Sequence, residues 1–109
     1  MNNLGLLFLE QGSNDDALPF LARAVQLKKD VAVFHNNLGM ALEHTGRFGA
    51  AATEYKSALT ADPKYAKAEK NLTRVEAVKS TSEEPFDLEA MAGHVVEQTQ
   101  HAAVETPNQ

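Results

Sequence analysis

The chain contains no cysteine and no tryptophan. Without thiols it can form no disulfide, no thiolate metal site and no cysteine nucleophile. Aromatic residues are scarce at 6% of 109 residues, so a core drawn from the 43% hydrophobic fraction must be mostly Leu, Ala and Val. Six glycines and four prolines are too few for a loop-rich β-protein, and they are spaced like punctuation between helices. No apolar run approaches the roughly 18 residues of a membrane span. The N-terminus lacks the basic stretch and cleavage site of a secretory signal. These absences lead us to expect one small, soluble, cytoplasmic domain with no membrane partner.

Basic residues are missing from the C-terminal part. Residues 80–109 hold Glu83, Glu84, Asp87, Glu89, Glu97 and Glu105 but no Lys or Arg, while residues 1–79 carry a net charge of +1. A near-neutral body with an acidic tail argues against nucleic acid, because such binding needs clustered base to displace phosphate counterions. Catalytic motifs are equally lacking. His35, His44, His94 and His101 show no metal-ligand spacing, and no nucleophile elbow, Walker loop or dinucleotide fingerprint occurs. The acidic pair Asp15 and Asp16 is explained by the preference of helix N-termini for negative charge. The reading at this point is a non-enzymatic chain with no cofactor and no metal.

What the sequence does have is an internal repeat. Under a shift of 34 residues, Asn2-Asn3-Leu4-Gly5 coincides with Asn36-Asn37-Leu38-Gly39. Phe8 then falls on Leu42, Gly12 on Gly46, Ala17 on Ala51, Leu21 on Tyr55 and Ala24 on Ala58. A second shift brings Asn37-Leu38 onto Asn71-Leu72, after which the match fades. Phe34, Leu38, Ala41 and Leu42 follow the spacing of an amphipathic helix. Ala51, Tyr55, Ala58 and Leu59 form the stripe of a second one, with small residues placed where two antiparallel helices must come close. Gly46 supplies the turn between them, and Asp62-Pro63 ends the hairpin. The periodicity predicts helices over 1–10, 15–28, 31–44, 48–60 and 64–79, with Pro19 near the start of its helix and able to distort that turn.

Leu-Gly in the first helix, Gly in the turn, then Ala, Tyr or Leu, Ala and finally Asp-Pro resemble the tetratricopeptide repeat signature over residues 1–79. Lys29 stands where the second repeat has Pro63, and the bulky aromatic of the signature is His35 in the second repeat and Met1 in the first. The resemblance implies an all-α, α-α superhelix of about two repeats: a partial repeat over 1–31, a repeat over 32–65 and a capping helix over 66–79. Its charged 64–79 helix suits the end of a stack. The other end, with Leu4, Leu7 and Phe8, has no polar cap and reads as a junction with further repeats or as a self-association surface.

The resemblance also implies that a protein or peptide partner, extended or helical, binds the concave face lined by the first helix of each repeat. Asn3, Asn37 and Asn71 share one register, and their amides could pair with a strand-like peptide, helped by Asn2 and Asn36. A similar asparagine ladder lines the repeats of O-linked N-acetylglucosamine transferases. The plainer reading is that Asn is a common polar residue at a half-exposed helix site. Leu6, Met40 and Arg74, with Val33 and His44, would read side chains in the groove, Met40 being adaptable in shape or a simple packing residue. Lys67, Lys70 and Arg74 make one stripe that could hold an acidic side chain, or serve as a solvated face. This only partly resembles the carboxylate clamp of chaperone-adaptor repeats, since Asn2 and Leu6 stand where the first repeat would carry the clamp's lysine.

Residues 80–85 read as a linker to an acidic tail. Leu88, Met91, Ala92, Val95 and Val96 recur at helical spacing, and Asp87 is a candidate N-cap, which predicts a helix over about 87–100. Its stripe is too narrow to be stable alone. It either packs on the outer face of the last repeat helix or stays partly disordered. Alternatively, the acidic segment with Phe86 and Leu88 folds back beside Lys67, Lys70 and Arg74 and mimics a ligand, in its own molecule or in a neighbour. The functional expectation is a protein-interaction module. Its competitors are a structural or oligomerisation segment and the substrate-recruiting fragment of a larger protein.

Overall fold

A computed structural model describes residues 1–78 and 86–93, which form α1 (Asn2–Glu10), α2 (Asn14–Leu27), α3 (Ala32–His44), α4 (Phe48–Ala61) and α5 (Ala66–Glu76), followed by a short helical segment in the tail. No strand occurs among the described residues. The architecture is the expected all-α repeat stack. The α1–α2 and α3–α4 hairpins lie side by side, with α5 against the second. Helix α5 starts two residues later than the sequence suggested, because Asp62 holds the connection in a turn. Its carboxylate accepts from the Lys64 amide at 3.1 Å, and its carbonyl accepts from the Tyr65 amide at 3.1 Å. The last residue expected in α5, Lys79, lies outside the described residues.

Both hairpins turn in the same way. Gly12 and Gly46 adopt φ of 80° and 82°, a region costly for any residue with a Cβ. Each sits just past the helix end, and the next residue donates back across the turn: Ser13 to the Phe8 carbonyl at 2.9 Å, Arg47 to the Leu42 carbonyl at 2.8 Å. The pattern is a Schellman closure, which satisfies carbonyls that the helix end would leave bare.

Helix packing inside each hairpin rests on a second pair of glycines. A Cβ built on Gly5 would lie 2.6 Å from the side chain of Leu21, and one on Gly39 would lie 2.6 Å from the ring of Tyr55. These contacts are one repeat apart, so the two hairpins solve the same problem with different large residues. The core that results contains Ala17, Leu18, Leu21, Leu38, Ala41, Leu42, Ala51 and Tyr55, each at most 1% exposed. Pro19 lies in the second turn of α2 and is buried. Phe8 departs from its expected place on an open end: its ring stacks on Phe20 with centroids 5.5 Å apart. The apolar residues that remain open there are Met1, Leu4 and Leu7, at 46%, 42% and 48% exposure.

Stacking of one hairpin on the next is uneven. Helix α1 touches α3 and α3 touches α5, whereas no Cα of α2 comes within 8 Å of one in α4. The first helices of the repeats therefore crowd on the inner side, and the second helices splay on the outer side.

His35 braces the junction. Its Nε2 lies 2.7 Å from the Lys29 carbonyl and its Nδ1 lies 2.8 Å from a Glu54 carboxylate oxygen. A carbonyl cannot donate and a carboxylate accepts, so this pair of contacts favours the form of the ring with a proton on both nitrogens. The Glu54 carboxylate does most to raise its pKa above the ordinary 6.5; burial opposes this and the Lys29 carbonyl adds to it.

The tail re-enters the fold. Residues 88–93 are helical, and Asp87 is the N-cap that the sequence suggested, accepting from the Glu89 amide at 3.0 Å and the Ala90 amide at 3.2 Å. Ala92 is fully buried, while Phe86, Leu88 and Met91 pack partly buried against the core. The expected linker at 80–85, and the tail helix beyond 93 with Val95 and Val96, lie outside the described residues.

Two outcomes follow. Gly39→Ala should lower stability by about 1–3 kcal/mol through overpacking against Tyr55, despite the better helix propensity of Ala. Gly93→Ala, where an added Cβ meets nothing within 4 Å, should change it by less than about 0.5 kcal/mol. Urea denaturation checks both, and a stabilised Gly39→Ala chain would refute the close approach. A raised folded pKa means that the His35 contribution is complete below the unfolded pKa of 6.5 and is lost as pH rises through the folded value. The Tm advantage of the native chain over His35→Gln should therefore shrink on going from about pH 6 to about pH 8, and a gap independent of pH would contradict the doubly protonated ring.

Candidate functional site

The inner side of the stack is a hollow of about 490 Å³ built from three parallel helices. Helix α1 contributes Asn2 and Leu6, and α3 contributes Val33, Asn36, Asn37 and Met40. Helix α5 contributes Lys67, Lys70, Asn71 and Arg74, with Tyr65 just before it. Helical spacing explains the selection: positions 33, 36, 37 and 40 lie on one face of α3, and 67, 70, 71 and 74 repeat that face on α5. Ten of the twelve residues proposed from sequence are brought together here. Asn3 is exposed and does not line the hollow. His44 does not line it either; its Nδ1 lies 3.2 Å from the Asn14 side-chain oxygen.

The asparagines form rungs between helices. Asn37 donates to the Asn2 side-chain oxygen at 3.1 Å, and Asn71 donates to that of Asn36 at 2.9 Å. Each pair is separated by 35 residues, one more than the repeat, because a neighbour across the stack is offset along the helix. Asn36 and Asn37 are only 1% and 6% exposed. A buried amide needs partners, and these find them in each other. The row that matters is thus a doublet reaching both ways from α3, and it uses Asn2 where the sequence register had pointed to Asn3.

Arg74 is similarly occupied. Its Nε and one terminal nitrogen donate to the two Glu43 carboxylate oxygens, each at 2.8 Å, and the same terminal nitrogen donates to the Asn71 oxygen at 2.8 Å. Glu43 also accepts from the buried Tyr55 hydroxyl at 2.8 Å. The Arg74 guanidinium does most to hold the Glu43 carboxyl below its usual range, with the Tyr55 hydroxyl adding to it against the effect of burial. Burial and the Glu43 carboxylate push the Tyr55 phenol well above its ordinary value. The bidentate geometry is the strong form of such pairing, so the stripe of three cations read from α5 reduces to two. Among the described residues neither Lys67 nor Lys70 has an ion-pair or hydrogen-bond partner, and both are exposed.

The hollow therefore offers apolar side chains from Leu6, Val33 and Met40, a fixed polar floor, and two ammonium groups toward the α5 end. Tyr65 and Glu43 were missed in the sequence. The signal for Glu43 was available, because Glu43 and Arg74 are 31 residues apart, three fewer than the repeat, and so lie on facing helices. Tyr65, read from the sequence as the second residue of the 64–79 helix, is instead the N-cap of α5 and lines the hollow from there. No described tail residue lines the hollow; Glu83 and Glu84, which begin the acidic segment read as a ligand mimic, lie outside the described residues. Among the described residues no group of His, Cys, Asp or Glu could hold a metal, and no helix is long and apolar enough to cross a membrane.

No curated protein matches the chain. A family model described as Tetratricopeptide repeat matches residues 2–66, the span of both hairpins and the start of α5. Repeats of this kind are generally protein-interaction modules and typically not catalytic. With the repeat period, the paired glycines and the two-layer stack in agreement, the chain belongs to the tetratricopeptide repeat family.

Proposed function

We propose that the hollow between α1, α3 and α5 binds an extended segment of a partner protein, with acidic residues of that segment against Lys67 and Lys70. One observation carries this reading: two exposed ammonium groups with no partner among the described residues stand beside an apolar strip whose asparagines already bond one another. Such a floor asks nothing of a ligand. Affinity would come from burying Leu6, Val33 and Met40, and orientation from the charged end. The partner's acidic residues would lie toward α5 and its apolar residues toward α1. The compartment we propose is the cytoplasm.

A peptide array probed with the full chain tests this. Captured sequences should be enriched in Asp and Glu adjoining apolar residues. The double substitution Lys67→Ala and Lys70→Ala, at exposed positions, should weaken capture by roughly tenfold or more and remove its salt dependence. Unchanged capture by the double variant would defeat the proposal.

A second reading rests on the open face of α1, where Met1, Leu4 and Leu7 are close to half exposed. Contiguous apolar surface of this kind marks contact sites, and a second copy could cover it. Light scattering should then give a dimer that becomes a monomer on Leu4→Lys with Leu7→Lys. A monomer in the native chain would leave the inner hollow as the operative surface.

A further inference from the structure

The outer side of the stack carries a second surface, independent of the hollow. No Cα of α2 comes within 8 Å of one in α4, and the chain's own residues 86–93 reach this side at Met91, which lines one cleft with the first half of α2 and with Arg47, the N-cap of α4. This segment contributes Ala92, fully buried, and Phe86, Leu88 and Met91, half-buried. Leu88, Met91 and Ala92 stand at i, i+3 and i+4 and form one face of a short helix. Helices this short are not stable in water by themselves, so the order of the segment comes from its packing against the core.

The segment does not fill that cleft. Beside Met91 it leaves about 560 Å³ between the first half of α2 and the start of α4, walled by Phe8, Leu18, Pro19 and Phe20, with Asp16 and Arg47 at its rim. The stacked rings of Phe8 and Phe20 present an aromatic wall, against which the flexible Met91 side chain leaves space. The floor at Ala92 has the opposite character, since that residue is wholly enclosed.

We infer that the cleft between α2 and α4 is a docking site for an amphipathic helix of a partner protein, and that residues 86–93 are its resident, displaceable occupant. The best partner helix carries Ala at the position of Ala92 and an aromatic residue at that of Met91. A second copy of this chain would bring the same Met91 and leave the same cleft, so it has no advantage over the segment already present. That segment is tethered and competes at an effective concentration of order millimolar. A partner therefore succeeds by filling the cleft or when the tether is lifted.

The lack of tryptophan gives a clean optical test. In the full chain, Met91→Trp should emit at the short wavelengths of a buried indole; solvent-like emission would overturn the inference by itself. A synthetic peptide of residues 84–96 carrying Met91→Trp is then titrated into two tryptophan-free full chains. One is native and the other carries Ala92→Asp, which expels the resident segment. The expected result is a saturable blue shift with the Ala92→Asp chain at peptide concentrations roughly tenfold or more below those the native chain needs. Leu88→Asp serves in its place if Ala92→Asp loses its helical circular dichroism. Equal titration of native and substituted chains would show binding elsewhere, and absence of any shift with a folded variant would show no helix site. Unfolding of both variants would make the segment an integral part of the core. Each of these three results overturns the inference.

Discussion

Two helices of a hairpin can approach closely only where one of them has no side chain, and here that place is Gly5 in the first hairpin and Gly39 in the second. Leu21 and Tyr55 occupy the space a Cβ would need. The contact brings the buried faces of α1 and α2, and of α3 and α4, within packing distance. From it follow the enclosure of Leu38, Ala41, Leu42 and Ala51 and the tight glycine turns that join each pair. Using Tyr in place of Leu at the second site has a further effect. The ring brings a hydroxyl into the core, and that hydroxyl needs an acceptor. Glu43 supplies one, and in turn draws Arg74 from α5. A packing requirement inside one repeat thus becomes a polar bond between that repeat and the next helix.

Much of this was legible in the residues. The 34-residue shift marked both hairpins, both turns and the glycine-large pairs, because helix packing repeats its side-chain requirements at every turn of the stack. The N-cap at Asp87 was legible for a similar reason, since a cap depends on a local spacing. The hollow was largely legible too: helical phase alone places Val33, Asn36, Asn37 and Met40 on one face.

What the sequence did not give directly were relations between repeats. Register alignment matches Asn3 with Asn37 and Asn71, but neighbours in space are not the residues that align. The offset between stacked helices pairs Asn2 with Asn37, Asn36 with Asn71 and Glu43 with Arg74. Arg74 looks like a free cation in a sequence and is engaged in the fold for the same reason. The seat of residues 86–93 was also out of reach, because an apolar stripe says that something must cover it without saying which groove will.

The uneven stacking of the hairpins has a mechanical consequence. They are joined on the inner side by the Asn37–Asn2 bond and between the layers by the packing of α2 on α3, whereas no Cα of α2 lies within 8 Å of one in α4. Bending one repeat against the other would therefore turn about the packed α2–α3 layer and mainly open or narrow the outer side. Residues 86–93 meet that side at Met91, beside the first half of α2 and Arg47. A wedge held there would set the bend of the stack, and with it how tightly the inner wall curves around anything laid along it.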